Sequence, residues 1–309
     1  MPRRRITKKD LQGIIVPMVT PFKGKYGKDL NLKVLSILTE YLIDNGIHGL
    51  MPLGTTGEFG LLNRNERKQV VETVVKATSG RIPVIAGVSS SGTDNAIRLA
   101  KDAFSAGADA MISTGPYYYK TDSQGLFLHY KSLLESVGLP LMIYNIPGWA
   151  GYNIPAEVVK NLYSKFGERI IGVKYTTNDL GEFLSYLRPL GDKISIMIGS
   201  DELALAALSL GAAGAVLGSG NALPKETVRI YEEFINGNFQ GARDAQAKLD
   251  PFTQAMVLGT YPAALKVAMR LIRIDCGEVR RPLVPLSLKN QKRVKESIQW
   301  KIKNQRTEN

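Results

Sequence analysis

Histidine and cysteine are nearly missing from this chain of 309 residues: it has two histidines, His48 and His129, and one cysteine, Cys276. A lone cysteine cannot close an internal disulfide or build a multi-cysteine metal site. Two histidines argue against a histidine-based metal centre, so we expect no metal and read all three residues as structural. Long apolar runs are missing too. The longest, such as Leu139–Tyr144, fall far short of the roughly 20 residues that cross a bilayer. Basic residues follow Met1, but no apolar stretch of signal-peptide length does. These absences lead us to expect a cytoplasmic protein with no membrane partner. No Gly-x-Gly-x-x-Gly fingerprint is present, which weakens the case for an open dinucleotide-binding sheet. No linker rich in Gly, Ser or Pro marks a second domain.

What is present begins with charge. The chain carries a net +12, with +4 in residues 1–10 and +7 in residues 280–309. The body between these ends is almost neutral, which argues against a nucleic-acid groove through the fold. Hydrophobic content of 44% and charged content of 22% fit a soluble globular protein.

Eight short apolar runs punctuate the body: 13–20, 49–54, 82–88, 109–114, 139–145, 170–175, 194–199 and 214–218. They lack strict alternation, as strands buried on both faces do. Helical patterns separate them, at 32–43, 63–77, 93–106, 123–137, 155–166, 178–190, 201–210 and 225–235. Strand–helix alternation repeated eight times predicts an α/β fold, a (β/α)₈ TIM barrel. Further helices, at 242–257, 261–274 and 287–302, predict a C-terminal helical appendage packed on it. We expect the barrel over residues 11–237, the appendage over 238–303, and basic tails at 1–10 and 304–309.

Chemistry in such a barrel gathers where the strands end. Those ends read Gly54-Thr55-Thr56-Gly57-Glu58, Gly115-Pro116-Tyr117-Tyr118-Tyr119, Tyr144-Asn145-Ile146-Pro147-Gly148, Lys174-Tyr175-Thr176-Thr177, Gly199-Ser200-Asp201-Glu202 and Gly218-Ser219-Gly220-Asn221. Lys174 closes the run Ile170-Ile171-Gly172-Val173. Burial disfavours the charged form of an amine, and a neutral amine attacks carbonyl carbon to form a Schiff base. A tyrosine would relay protons. Hydroxyls and open backbone near Gly54–Gly57 would hold a carboxylate. The same residues have blander readings. Thr55 and Thr56 could cap a helix, Tyr144 could be core, and Asp201 could cap the helix that starts there.

The Gly54–Glu58 motif, the Tyr117-Tyr118 pair, Tyr144-Asn145-Ile146-Pro147 and Gly172-Val173-Lys174 stand in the order and spacing of one family. Over about residues 11–300 the chain resembles the dihydrodipicolinate synthase / N-acetylneuraminate lyase family. The resemblance implies a lyase, a class I pyruvate-type aldolase with no cofactor, built as a homotetramer of paired dimers. It makes Lys174 the Schiff-base lysine and Tyr144 its proton-transfer tyrosine. Thr55 would link Tyr144 to Tyr118, the latter reaching across a dimer contact. Thr55 and Thr56 would bind the keto acid carboxylate, with Gly57 among the substrate-binding residues and Gly199 and Val216 contributing main chain. In dihydrodipicolinate synthases an arginine usually stands where this chain has Trp149, and an indole cannot replace a bidentate guanidinium. Thr176, Asp201 and Glu202 instead resemble lyases that bind hydroxylated acids. We therefore expect carbohydrate metabolism, with a 2-keto-3-deoxy sugar acid cleaved to pyruvate. The alternatives are a dihydrodipicolinate synthase joining pyruvate to aspartate semialdehyde, a keto-deoxy-acid dehydratase, and a non-catalytic ligand-binding barrel.

Overall fold

Eight parallel strands close around an apolar centre in a computed structural model that describes residues 6–307. The basic residues of 1–5 and residues 308–309 lie outside the described part, so the expected tails there are not described. The strands are β1 (Gly13–Pro17), β2 (Gly49–Met51), β3 (Ile85–Gly87), β4 (Ala110–Thr114), β5 (Leu141–Asn145), β6 (Ile170–Tyr175), β7 (Ser195–Ile198) and β8 (Gly214–Val216). They pair in the order β2-β1-β8-β7-β6-β5-β4-β3. The two remaining edges meet through a parallel bridge from Leu50 to Val84. Leu50 N–H donates to Pro83 O at 2.9 Å and Gly87 N–H to Pro52 O at 3.0 Å, which completes the ring. The expected strands all form: β1, β2 and β8 are shorter at the C-terminal end, β4 and β5 at the N-terminal end, β3 and β7 at both, and β6 is unchanged.

Helices α1 (Leu32–Asp44), α2 (Arg64–Thr78), α3 (Thr93–Ser105), α4 (Ser123–Ser136), α5 (Ala156–Phe166), α6 (Leu180–Leu190), α7 (Ala204–Ser209) and α8 (Pro224–Ile235) surround the strands. Their starts follow local chemistry. The Asn63 side chain accepts from Glu66 N–H while the Glu66 carboxylate accepts from Asn63 N–H, a reciprocal cap on α2. One start differs from expectation. α7 begins at Ala204, behind a tight turn at Asp201–Leu203, because the Asp201 carboxylate is engaged elsewhere. The appendage holds α9 (Phe239–Met256), α10 (Ala263–Leu271), α11 (Leu288–Ser297) and α12 (Gln299–Thr307). The last two were expected as one helix. The chain leaves helical geometry at Ile298, whose side chain is fully buried. A short hairpin, Phe22–Lys23 against Asp29–Leu30, was not expected.

Two apolar layers result. One lies between strands and helices. The other fills the barrel with Ile15, Met51, Ile85, Met142 and Met197, and with Ile6 and Leu11. Residues 6–10 are thus built into the barrel rather than forming a tail. Thr7 caps the turn Lys8–Asp10, and Lys8 Nζ donates to Gly191 O at 3.0 Å and Asp192 O at 2.6 Å.

Candidate active site

Strands β5 and β6 do not run in simple step. Leu141 pairs with Ile170, but the next residue, Met142, pairs with Gly172. This bulge puts two residues of β6 opposite one step of β5. Partners across a sheet share a face, so a one-residue slip exchanges inside for outside. Tyr144 therefore pairs with Lys174 rather than Val173, and both side chains enter the barrel mouth. The next pair, Asn145 and Tyr175, faces the helices. There Tyr175 Oη donates to the Glu182 carboxylate at 2.6 Å. Asn145 Nδ2 donates to Tyr186 Oη at 3.0 Å and to Asn153, while its Oδ1 accepts from Ile154 N–H at 3.1 Å. Asn145 thus ties down the loop that carries Trp149.

Lys174 is 3% exposed, and its Nζ lies 4.1 Å from the centre of the Tyr144 ring. Among the described residues, no hydrogen bond or ion pair engages that nitrogen. The amine opens on a cavity of about 560 Å³. Thr55 and Thr56 from the end of β2 form one side, and Thr176, Gly199 and Val216 line the floor. A side chain at position 199 is excluded, because a Cβ there would overlap Thr176 Oγ1 and stand 2.9 Å from Lys174 Cε. Thr176 Oγ1 is buried with no hydrogen-bond partner among the described residues.

Asp201 lines the same cavity but is already in use. Its carboxylate accepts from Ser219 N–H at 2.9 Å and from Gly218 N–H at 3.3 Å. It joins the ends of β7 and β8 instead of capping α7. Burial raises its pKa, against the pull of those amides and of the Lys174 charge. Glu202 is exposed and lies outside the cavity, so the expected acidic pair does not face a substrate together. Gly57 is buried outside the cavity as well, with its carbonyl accepting from Thr20 Oγ1 at 2.7 Å. Tyr118 is 86% exposed, in left-handed backbone at φ 80, and packs edge-on against Tyr119. Within the chain Thr55 makes no hydrogen bond to Tyr144 or Tyr118. Thr55 and Tyr118 instead both border an adjoining apolar cavity of about 460 Å³. Trp149 sits at the boundary of the two cavities, 63% exposed.

Sequence reasoning missed the roof. Met256, Val257, Gly259, Thr260 and Tyr261, from the turn between α9 and α10, close over the strand ends. Tyr261 Oη and Thr56 Oγ1 lie 2.8 Å apart. Tyr261 also meets Trp149 edge-on, with ring centres 6.3 Å apart. No local pattern in the appendage marks these residues, which enter the site only because the chain returns across the barrel mouth.

The arrangement suits carbonyl chemistry: a buried amine without a counter-ion, a phenol beside it, and two threonine hydroxyls opposite. Among the described residues, no group of three or more His, Cys, Asp or Glu side chains could hold a metal ion, and no helix is long and apolar enough to cross a membrane.

Comparison with known proteins agrees with this chemistry. Residues 10–301 match the model of the dihydrodipicolinate synthetase family. The 4-hydroxy-tetrahydrodipicolinate synthase of Thermodesulfovibrio yellowstonii is 37% identical over 287 residues, covering 93% of this chain and 97% of that one. The enzyme of the same name from Methanocaldococcus jannaschii is 35% identical over 281 residues, covering 91% and 95%. The crystal structure of dihydrodipicolinate synthase from Aquifex aeolicus superposes with a TM-score of 0.89 at 31% identity, covering 94% of this chain and 98% of that one. The chain belongs to the dihydrodipicolinate synthetase family and is a lyase of the aldolase type.

Proposed function

We propose that this protein is a 4-hydroxy-tetrahydrodipicolinate synthase, joining pyruvate, held as an imine on Lys174, to aspartate semialdehyde. The observation that carries the imine is Lys174 itself: buried, without a hydrogen bond or ion pair among the described residues, and with its Nζ 4.1 Å from the Tyr144 ring centre. The names of its relatives carry the choice of acceptor. This reading displaces the 2-keto-3-deoxy sugar acid expected from the strand ends. None of the comparisons supports that substrate, and the acidic pair that suggested it is divided between a backbone contact and the surface.

The steps follow from the groups present. Lys174 Nζ adds to C2 of pyruvate, and the hydroxyl of the adduct leaves as water with a proton relayed by Tyr144. The protonated imine draws electrons from C3, which loses a proton to give an enamine. C3 then forms a bond to the aldehyde carbon, whose oxygen takes up a proton. The amine of the aspartate semialdehyde unit then adds to the imine carbon, which closes the six-membered ring as a cyclic imine and releases Lys174 as the free amine. Thr55 and Thr56 are the donors for the pyruvate carboxylate, with main chain at Gly199 and Val216 beside it. Tyr118, strained at φ 80 and open to solvent, is suited to reach a second copy of the chain, in keeping with a homotetramer of paired dimers.

Trp149 is the one observation that favours a different acceptor, because an indole cannot pair with a carboxylate. The test is pyruvate consumption with aspartate semialdehyde present, alongside Lys174→Ala. Consumption that needs both substrates and Lys174 is the expected result. A borohydride-trapped pyruvate adduct without such consumption would sink the acceptor and keep the imine. In that case, pyruvate release from 2-keto-3-deoxy acids becomes the next assay.

A further inference from the structure

The hydroxyl of Thr56 has one hydrogen-bond partner among the described residues, and it comes from another part of the chain. Tyr261 Oη lies 2.8 Å from Thr56 Oγ1, across a sequence separation of 205 residues. The phenol has little room to turn away. A Cβ added at Gly218 would stand 2.8 Å from Tyr261 Oη, so the β8 loop packs closely against the phenol oxygen. The loop is itself held by Asp201, through the amides of Gly218 and Ser219. Trp149 flanks the ring edge-on. Tyr261 Oη therefore lies against both the held β8 loop and the Thr56 hydroxyl.

Which atom donates follows from general chemistry. A phenol is a stronger acid than an aliphatic alcohol, so its O–H is the better donor and the alcohol oxygen the better acceptor. Burial keeps that proton on the phenol by raising its pKa. If Tyr261 donates to Thr56 Oγ1, the threonine proton is left free to donate into the cavity that both residues line. A hydroxyl locked in this way donates to an anion without first having to be oriented.

We propose that Tyr261 is a positioning residue: it donates to Thr56 and so turns the Thr56 hydroxyl toward the carboxylate of the bound keto acid. This rests on the keto acid part of the function proposed above, and it gives the C-terminal appendage a role in substrate binding.

The experiment titrates pyruvate against the borohydride-trapped adduct, read by intact mass, in wild type and in Tyr261→Phe, Thr56→Val and the double variant. Phenylalanine keeps the ring and its packing, and removes only the donor. Tyr261→Phe should raise the half-saturating pyruvate concentration about tenfold, the scale of one lost hydrogen bond to a charged group, while the adduct still reaches one per chain at high pyruvate. In the Thr56→Val background the same substitution should cause no further rise, because Tyr261 acts through that hydroxyl. Thr56→Ser, which keeps the hydroxyl, should restore the response and covers the case of a poorly folded valine variant. An unchanged half-saturation in Tyr261→Phe would overturn the proposal. So would an equal rise with and without the Thr56 hydroxyl, which a merely structural role would give. Failure of wild type to form any adduct would overturn both this inference and the imine, whereas a wild-type adduct with an unresponsive Tyr261→Phe overturns this inference alone.

Discussion

Lys174 and Lys266 are both closed off from water, at 3% and 2% exposure, yet their surroundings differ in every other respect. Lys266, on α10, pairs with Glu58 at 2.6 Å and donates to Glu278 O at 3.1 Å, with its nitrogen 4.1 Å from the centre of the Phe22 ring. Glu58 in turn accepts from Arg280 N–H at 2.8 Å, and the Arg280 guanidinium grips the Glu66 carboxylate through two bonds of 2.9 Å. Burial lowers the pKa of Lys266 while Glu58 pulls it back up. Lys174 has the face of Tyr144 beside its nitrogen and a cavity in front, with no hydrogen bond or ion pair to that nitrogen among the described residues and with Asp201, held by backbone amides, as the acidic group that shares the cavity. The contrast separates two uses of a buried amine. One that is saturated with acceptors holds structure together, and here it binds the appendage to the loop that carries Thr55 and Thr56. One that is left without acceptors is available to a carbonyl carbon.

Exchanging the two roles should fail in opposite ways. Lys174→Met should abolish the borohydride-trapped adduct and lower turnover by about 10³-fold or more. Its melting temperature should hold or rise, since the substitution removes a buried amine that makes no ion pair among the described residues. A clear loss of stability would break the comparison. Lys266→Met should cost about 3–5 kcal/mol in denaturant unfolding, because Glu58 stays buried and uncompensated. Adding Glu58→Leu should recover most of that loss. If Lys266→Met is neutral, the pair is not the anchor it resembles.

His129 sharpens the comparison as a third buried base, again without a carboxylate. Its Nδ1 lies 2.9 Å from Thr93 Oγ1, and its Nε2 has no hydrogen-bond partner among the described residues. Burial lowers its pKa from 6.5 to about 4. The folded value lies below the unfolded one, so the unfolded chain takes up a proton first as pH falls. Stability is complete above about pH 6.5 and is lost progressively toward pH 4, by about 3 kcal/mol at that end. His129→Gln should remove that portion of the pH dependence, as followed by urea unfolding between pH 7 and 4. An unaltered slope would show that the imidazole is not kept neutral by burial.

Some of the site was open to reading along the chain. Lys174 and Tyr144 each stand at or next to the end of an apolar run, and strand ends meet at one mouth of a barrel. Glu58 was legible as part of a motif, but its direction was not. It lies in left-handed backbone at φ 54, and its carboxylate turns toward Lys266, not toward the cavity. Asp201 and Glu202 are adjacent in sequence, yet one binds backbone amides and the other meets water.

Local pattern alone determined the eight strand–helix units, the helical appendage and the lysine at a strand end. These depend on periodicity and on residue type, which a chain carries in its order. The bulge that sets Tyr144 against Lys174, the return of Tyr261 onto Thr56 and the pairing of Glu58 with Lys266 were decided only in the folded molecule. Each is a contact between segments far apart in sequence or a register between strands. Nothing in the local pattern specifies such a contact until packing brings the partners together.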